Sequence, residues 1–228
     1  QRTAGGAFAG QVVPRLLGGM VDAGDGTFWR CRTTLRSKAN SADFLLRIYH
    51  VTPRWQTAGG GGEGAIAVGD FLSLSDPDHR IDFPIVNDAT PDRLLTGADF
   101  DVESIVRAKD GSFWIGEEFG PFLLHVDRTG RLLAAPVPFP DGKSPPQNPY
   151  LQPGGETPRV RASRGFEAMA GSRDGRFLYP ITEGAFVDDP VQRRRTIYEY
   201  DTTAGGRTPG APGRTRRTRT RTSSATRS

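Results

Sequence analysis

Apolar and polar residues alternate along short stretches of this chain, and a turn signal ends each stretch. The segment "ESIVRAKDGSFWIGEE" (residues 103–118) runs apolar, breaks at Asp110-Gly111, then runs aromatic and apolar. Asp-Gly between two apolar runs is a strong hairpin signal, so the segment reads as strand, turn, strand. The pattern returns as "EAMAGSRDGRFLYPITE" (167–183). In both copies a glutamate, Glu103 or Glu167, lies seven residues before the Asp-Gly pair. An aromatic, Phe113 or Phe177, follows the turn, and a further acid, Glu118 or Glu183, closes the unit. A third copy, "GGMVDAGDGTFW" (18–29), keeps Asp25-Gly26-x-Phe28 but has Gly18 in the place of the leading glutamate.

A further strand is expected after each hairpin, in "DFLLRIYHV" (43–51), "PFLLHVDRTG" (121–130) and "RTIYEYDTTAGG" (195–206). Units of three or four antiparallel strands repeated every several tens of residues predict an all-β, β-propeller-like fold with an incomplete set of blades. Helical periodicity is nearly absent. The inserts "TPRWQTAGGGGEGAIAVGD" (52–70) and "VPFPDGKSPPQNPYLQPGGETPRVRASR" (137–164) are expected to be long Gly/Pro-rich loops. Aromatics of the repeats, Phe113, Trp114, Phe166 and Phe177, are expected to be buried between blades.

Composition and charge narrow the function. The chain of 228 residues holds 29 Gly, 18 Pro and a single cysteine, Cys31, which excludes an intrachain disulfide framework. No apolar run approaches the ~20 residues that span a bilayer. The net charge of +4 comes from the end of the chain. Residues 205–228 hold seven Arg and no acid, so the rest carries 23 basic and 26 acidic residues, a net of −3. That balance gives no general footprint for nucleic acid. Three divisions are expected: a lead-in at 1–16, a folded domain at 17–204 and a disordered Arg/Thr-rich tail at 205–228.

The chemistry lies in the acids. Glu117 and Glu118 sit side by side where an aromatic strand runs out, and like charges that close need solvent, a basic partner or a cation. Alternation allows one of the two to face inward; the repeat favours Glu118, at nearly the same offset as Glu183, and leaves Glu117 for solvent. If Glu103 and Glu167 lie on innermost strands, their carboxylates converge on the axis. Oxygen-only ligands suit a hard divalent cation, Ca²⁺ rather than Mg²⁺, with Asp99, Asp101, Glu103 and Glu167 as ligands. Glu103, Glu118, Glu167 and Glu183 then form the catalytic set, the cation lowering the pKa of a bound water and a spare carboxylate acting as base. The alternative is that Glu103 and Glu167 bond backbone N–H groups between blades.

Other candidates are Arg164, with Arg161 and Lys143, as a phosphate clamp or solvated loop charges, and Asn148 as a polar channel group or part of a rigid turn. Asp110, Asp174, Asp127 and Asp201 read as turn carboxylates, and His50 and His125 as structural. There is no G-x-S-x-G elbow, and "GGGGEG" lacks the Lys-Ser/Thr of a P-loop.

The segments "SKANSADFLLRIYHVTP", "GADFDVESIVRAKDGSFWIGEEFGPFLLHVDRTGRLL", "SPPQNPYL" and "RGFEAMAGSRDGRFLYPITEGA" together resemble the esterase-like-activity-of-phytase family, from about Leu17 to about Asp201. The resemblance implies a bacterial, exported (secreted or periplasmic) β-propeller whose recurrent acids form a phosphodiesterase-like or esterase-like site. It implies a monomer acting on a small-molecule ester or phosphate, with no nucleic-acid partner. The alternative is a non-catalytic propeller that binds a ligand or partner, with calcium serving structure alone. The chain is expected to be a fragment with frameshifted segments. Reverse-translated with GC-rich codons, Cys31–Thr34 contains Pro-Asp-Asn in a shifted frame, and Arg217–Ser228 reads "DAHAHVVGDAL".

Overall fold

The computed structural model describes residues 18–33, 38–56, 61–140, 143, 147–151, 154–155 and 157–203, and the backbone of 216–219. The lead-in and most of the tail lie outside the described residues. The described part is all-β: three four-stranded antiparallel sheets and, at Lys38–Asn40, one 3-10 turn. The first sheet holds β1 (Met20–Asp22), β2 (Phe28–Cys31), β3 (Arg47–Arg54) and β4 (Ala65–Ser73). The second holds β5 (Val102–Arg107), β6 (Phe113–Glu117), β7 (Phe122–Val126) and β8 (Val137–Pro138). The third holds β9 (Phe166–Gly171), β10 (Phe177–Thr182), β11 (Thr196–Asp201) and β12 (Arg216–Arg219). Within each sheet, neighbours in sequence are neighbours in space.

Each sheet opens with an Asp-Gly hairpin. The side chains of Asp25, Asp110 and Asp174 accept from the backbone N–H of Thr27 (3.0 Å), Ser112 (2.9 Å) and Arg176 (3.1 Å). Gly26, Gly111 and Gly175 have φ of 83°, 85° and 79°, the left-handed conformation that glycine adopts without strain. Two sheets extend this turn into a clamp. Ser112 Oγ donates to Asp110 (2.6 Å) and meets His125 Nε2 (2.9 Å), and the His125 ring stacks on Trp114 at 4.0 Å. Thr27 repeats the contact with Asp25 and His50 Nε2, and His50 stacks on Trp29 at 4.5 Å. The hydroxyl lies between carboxylate and imidazole, so this is not the Ser-His-Asp order of a nucleophilic relay. The third sheet has Arg176, Leu178 and Tyr200 at these places.

The second sheet is buried on both faces because its strands alternate between two cores. Phe113 and Ile115 of β6 pack with Ile48, Phe100, Val102 and Leu124 toward the first sheet. Trp114 points the other way, with Leu123, Phe139, Phe166 and Tyr198 toward the third. Phe113, Trp114 and Phe166 are buried; Phe177 is only half-buried, covered by the Arg176 guanidinium at 4.8 Å. The first strands of the sheets lie close: a Cβ on Gly19, just before β1, would come within 2.7 Å of the Ile105 amide nitrogen in β5.

Two stretches differ from the sequence reading. The segment 52–70 was expected to be loop, yet β3 continues to Arg54 and Ala65–Ser73 form a nine-residue strand. Pro53 is tolerated because the last β2 pair is Phe28 with Val51, so its missing N–H lies beyond the reach of β2. In the tail, Arg216–Arg219 pair with β11, from Thr196 opposite Arg219 to Glu199 opposite Arg216. Backbone pairing at an open sheet edge needs no apolar side chain. No helix among the described residues is long and apolar enough to cross a membrane.

Candidate functional site

The site forms where the second and third sheets present equivalent ends. In β5, Val102 pairs with Glu117 and Ser104 with Gly116, which leaves Glu103 as an extra residue at a bulge. In β9, Phe166 pairs with Thr182 and Ala168 with Ile181, so Glu167 is bulged in the same way. A bulge re-aims its extra side chain. Glu118 and Glu183 each follow the last residue of the paired strand. Their backbone N–H groups donate to Asp101 O (3.0 Å) and Gly165 O (2.9 Å), so both sheets place the closing acid by the same kind of bond. Gly165 is required here, since a Cβ would lie 2.6 Å from Glu118 Cα.

These placements bring five acids together in two overlapping groups. One oxygen from each of Asp101, Glu103 and Glu118 lies within 4.8 Å of the others, and the same holds for Glu118, Glu167 and Glu183. Glu118 belongs to both. It is 6 % exposed, and its Oε1 is buried with no hydrogen-bond partner. Burial, then repulsion from Glu103 and Asp101, pushes its pKa up to about 9. Burial raises Glu103 to about 8, with Thr33 opposing and Asp101 and Glu167 adding to the rise. Glu167 is raised too, by burial and then Glu183, while Arg164 lowers it. The cluster is thus costly to ionise on its own, the property that a divalent cation reverses.

The first sheet contributes a hydroxyl. Thr33 follows Phe28 by five residues, as Glu118 follows Phe113. Its Oγ1 lies within hydrogen-bond reach of both Asp101 Oδ1, at 2.9 Å, and Glu103 Oε1, with one proton to share between them. Sequence reasoning missed this residue, although carrying the repeat register into the first copy identifies it. Lys38 was missed as well. Its Nζ donates to Gln147 O at 2.7 Å and lies 5.4 Å from the Phe119 ring centre, near Glu117 and Asp99; burial lowers its pKa.

Other expected site residues have backbone duties. Glu117 was expected to face solvent, yet it is fully buried. Its carboxylate accepts from the N–H groups of Phe119 (2.8 Å), Gly120 (2.7 Å) and Phe122 (2.7 Å), which fixes the turn after β6. Burial raises its pKa to about 7 against the pull of these bonds. Alternation failed because Glu118 lies past the strand end, where the period of two no longer applies. Asp99 stands outside both acid groups; it accepts from Val86 N (2.9 Å), Thr96 N (2.7 Å) and Thr96 Oγ1 (2.9 Å). Asn148 donates to Gly120 O and accepts from Tyr150 N (2.8 Å), so its amide binds the loop to the Glu117 turn. Arg164 does reach the site: it is ion-paired with Glu183 and remains partly exposed. Arg161 instead donates to Gln192 at 3.2 Å.

The profile of the phytase-like family, described as esterase-like activity of phytase, matches residues 17–223. The chain is also 35 % identical over 130 residues to an uncharacterized secreted protein of Arthroderma benhamiae. That alignment covers 48 % of this chain and spans 25 % of the relative's length.

Proposed function

We propose that this chain, which belongs to the phytase-like family, is a metal-assisted hydrolase of phosphoric or carboxylic esters. The observation that carries the reading is the buried, unpartnered Oε1 of Glu118 at the point shared by two carboxylate groups. A buried carboxylate oxygen without a donor is costly. Oxygen-only surroundings fit a hard cation, Ca²⁺ in the first instance, and Asp101, Glu103 and Glu118 would hold it. Such a cation, when bound, polarises an ester oxygen and acidifies water. Glu167, which retains more proton affinity than an ordinary glutamate, serves as the base that accepts a proton from water. Arg164 stands at the open side on Glu183 and offers its guanidinium to an anionic substrate. Thr33 holds Glu103 and Asp101 in place through its hydroxyl. On this reading the three sheets are blades of a β-propeller, the first strand of each facing the axis. The relative's description as secreted supports an exported protein.

The test is chelation and return. The protein is stripped with EDTA, then assayed on an aryl phosphodiester and an aryl acetate before and after Ca²⁺ or Mg²⁺ is restored. Turnover that falls on stripping and returns with the cation supports the hydrolase. A cation that raises thermal stability without turnover of either ester replaces it with a binding protein whose calcium is structural.

A further inference from the structure

The register that aligns the acids of the second and third sheets also aligns their neighbours, and there the two sheets part. Asp101 O and Gly165 O accept the backbone N–H of Glu118 and Glu183, so Asp101 and Gly165 hold equivalent places. The residue before each is Phe100 or Arg164, and the residue after each closing acid is Phe119 or Gly184. Phe100 and Phe119 are both buried. The third sheet has a charge in one of these places and no side chain in the other.

The two differences fit each other. A Cβ on Gly184 would lie 3.0 Å from Cβ, 3.2 Å from Cγ and 3.3 Å from Cδ of Arg164. The arginine stem therefore runs along the bare backbone of Gly184, closer than the ~3.5–4.0 Å at which carbon atoms attract best would leave room for a methyl group. The backbone that carries the arginine is fixed as well. Ser163 has φ of 48°, a left-handed conformation that few non-glycine residues adopt. On the other flank, a Cβ on Gly165 would lie 2.6 Å from Glu118 Cα, so this turn is pressed against the end of the second sheet. What remains outside is the guanidinium, ion-paired with Glu183 and partly exposed.

We propose that Gly184 is a positioning residue that sets the preference of the site for anionic over neutral esters, because its missing side chain beds the Arg164 stem and holds the guanidinium at the open side of the acids. The proposal rests on the hydrolase reading of the same site. An arginine that swings in solvent loses rotamer freedom when it grips an anion, and one whose stem is already bedded loses less. A side chain at position 184 lifts the stem. The five carboxyl groups then meet an anionic substrate with no fixed positive charge beside them, and like charges repel. A neutral ester loses neither the contact nor the compensation.

The experiment compares the full-length wild type, Gly184→Val, Arg164→Gln and the double variant, each with Ca²⁺, on an aryl phosphodiester and a neutral aryl acetate. The readout is the ratio of kcat/KM for the diester to that for the acetate. It is expected to fall about tenfold in Gly184→Val, chiefly through KM for the diester, and to fall no further in the double variant than in Arg164→Gln. A merely structural role for Gly184 lowers both substrates together and leaves the ratio where it was. The wild-type ratio in Gly184→Val overturns the proposal, as does a further fall when that change is added to Arg164→Gln. Turnover of the acetate alone by the wild type overturns it too; where the diester alone is turned over, its KM against kcat gives the same reading. If Gly184→Val does not fold by circular dichroism, Gly184→Ala decides, with an expected fall of at least about threefold. Turnover of neither ester overturns the hydrolase reading, and calorimetric titration with diphenyl phosphate then decides for Gly184. Saturable binding weakened about tenfold in the valine variant supports its role, and no binding, or equal affinity, overturns it.

Discussion

Glu118→Gln is the perturbation that separates an acid cluster built for a cation from one that is merely crowded. In the cation-free protein the Glu118 pKa stands near 9 against an ordinary value of 4.5. The folded state therefore holds this proton more tightly than the unfolded chain. The associated stability is fully present below about pH 4.5 and falls as pH rises toward 9. At pH 7 the unfolded glutamate is ionised and the folded one still protonated. The gap of about 2.5 pH units costs roughly 3 kcal/mol at 1.36 kcal/mol per unit. Glu103, raised to about 8, adds a slope of the same sign, though the two are coupled and do not sum. Between pH 5 and pH 7 the slope covers about two of those units, so the EDTA-treated protein is expected to melt about 5–10 °C higher at pH 5 than at pH 7. Glu118→Gln, whose amide does not ionise, flattens most of that slope. Ca²⁺ abolishes it in the wild type and leaves the variant unchanged. The assay is thermal melting by circular dichroism at several pH values, with EDTA and with Ca²⁺. A wild-type melting temperature that is flat or rises from pH 5 to pH 7 in EDTA refutes the reasoning, since it requires Glu118 to ionise without penalty.

Three further substitutions probe the surroundings. Glu117→Ala removes the acceptor of three buried N–H groups and is expected to cost at least about 3 kcal/mol in urea denaturation; a loss under 1 kcal/mol contradicts the turn-holding role. Ser112→Ala breaks the Asp110–Ser112–His125 clamp and should cost about 1–2 kcal/mol while ester turnover persists; a dead but stable variant would make Ser112 a nucleophile after all. Arg164→Gln is expected to raise KM for an anionic phosphodiester about tenfold and leave a neutral aryl acetate unaffected, and an equal effect on both substrates argues against anion recognition.

The fold class and the acid cluster were legible because the repeat carries both. Asp-Gly turns fix register, and register makes Glu103 equivalent to Glu167 and Glu118 to Glu183. What escaped depends on tertiary context. The bulges at Glu103 and Glu167 leave no local mark, since each depends on how two strands pair. Glu117 and Glu118 were assigned opposite environments by strand alternation, but the turn behind them offers three inward N–H groups, which outweigh the period. Asp99 and Asn148 looked like site residues from their chain position, yet nearby backbone amides and carbonyls take their polar atoms. β4 was hidden by the glycine-rich stretch before it. The alternation in "AIAVGDFLS" was the better guide.

The central claim is that the group centred on Glu118 holds a hard divalent cation, and calcium titration tests it most directly. EDTA-stripped and dialysed protein is titrated with Ca²⁺ at pH 7.5 by calorimetry, in two buffers of different ionisation enthalpy. The account predicts saturable binding accompanied by release of protons, because Glu118, and in part Glu103, are protonated before the cation arrives. It also predicts that binding is lost in Glu118→Gln while the fold is retained. Contradiction would be saturable binding of equal affinity in Glu118→Gln, or no binding by the wild type at millimolar Ca²⁺.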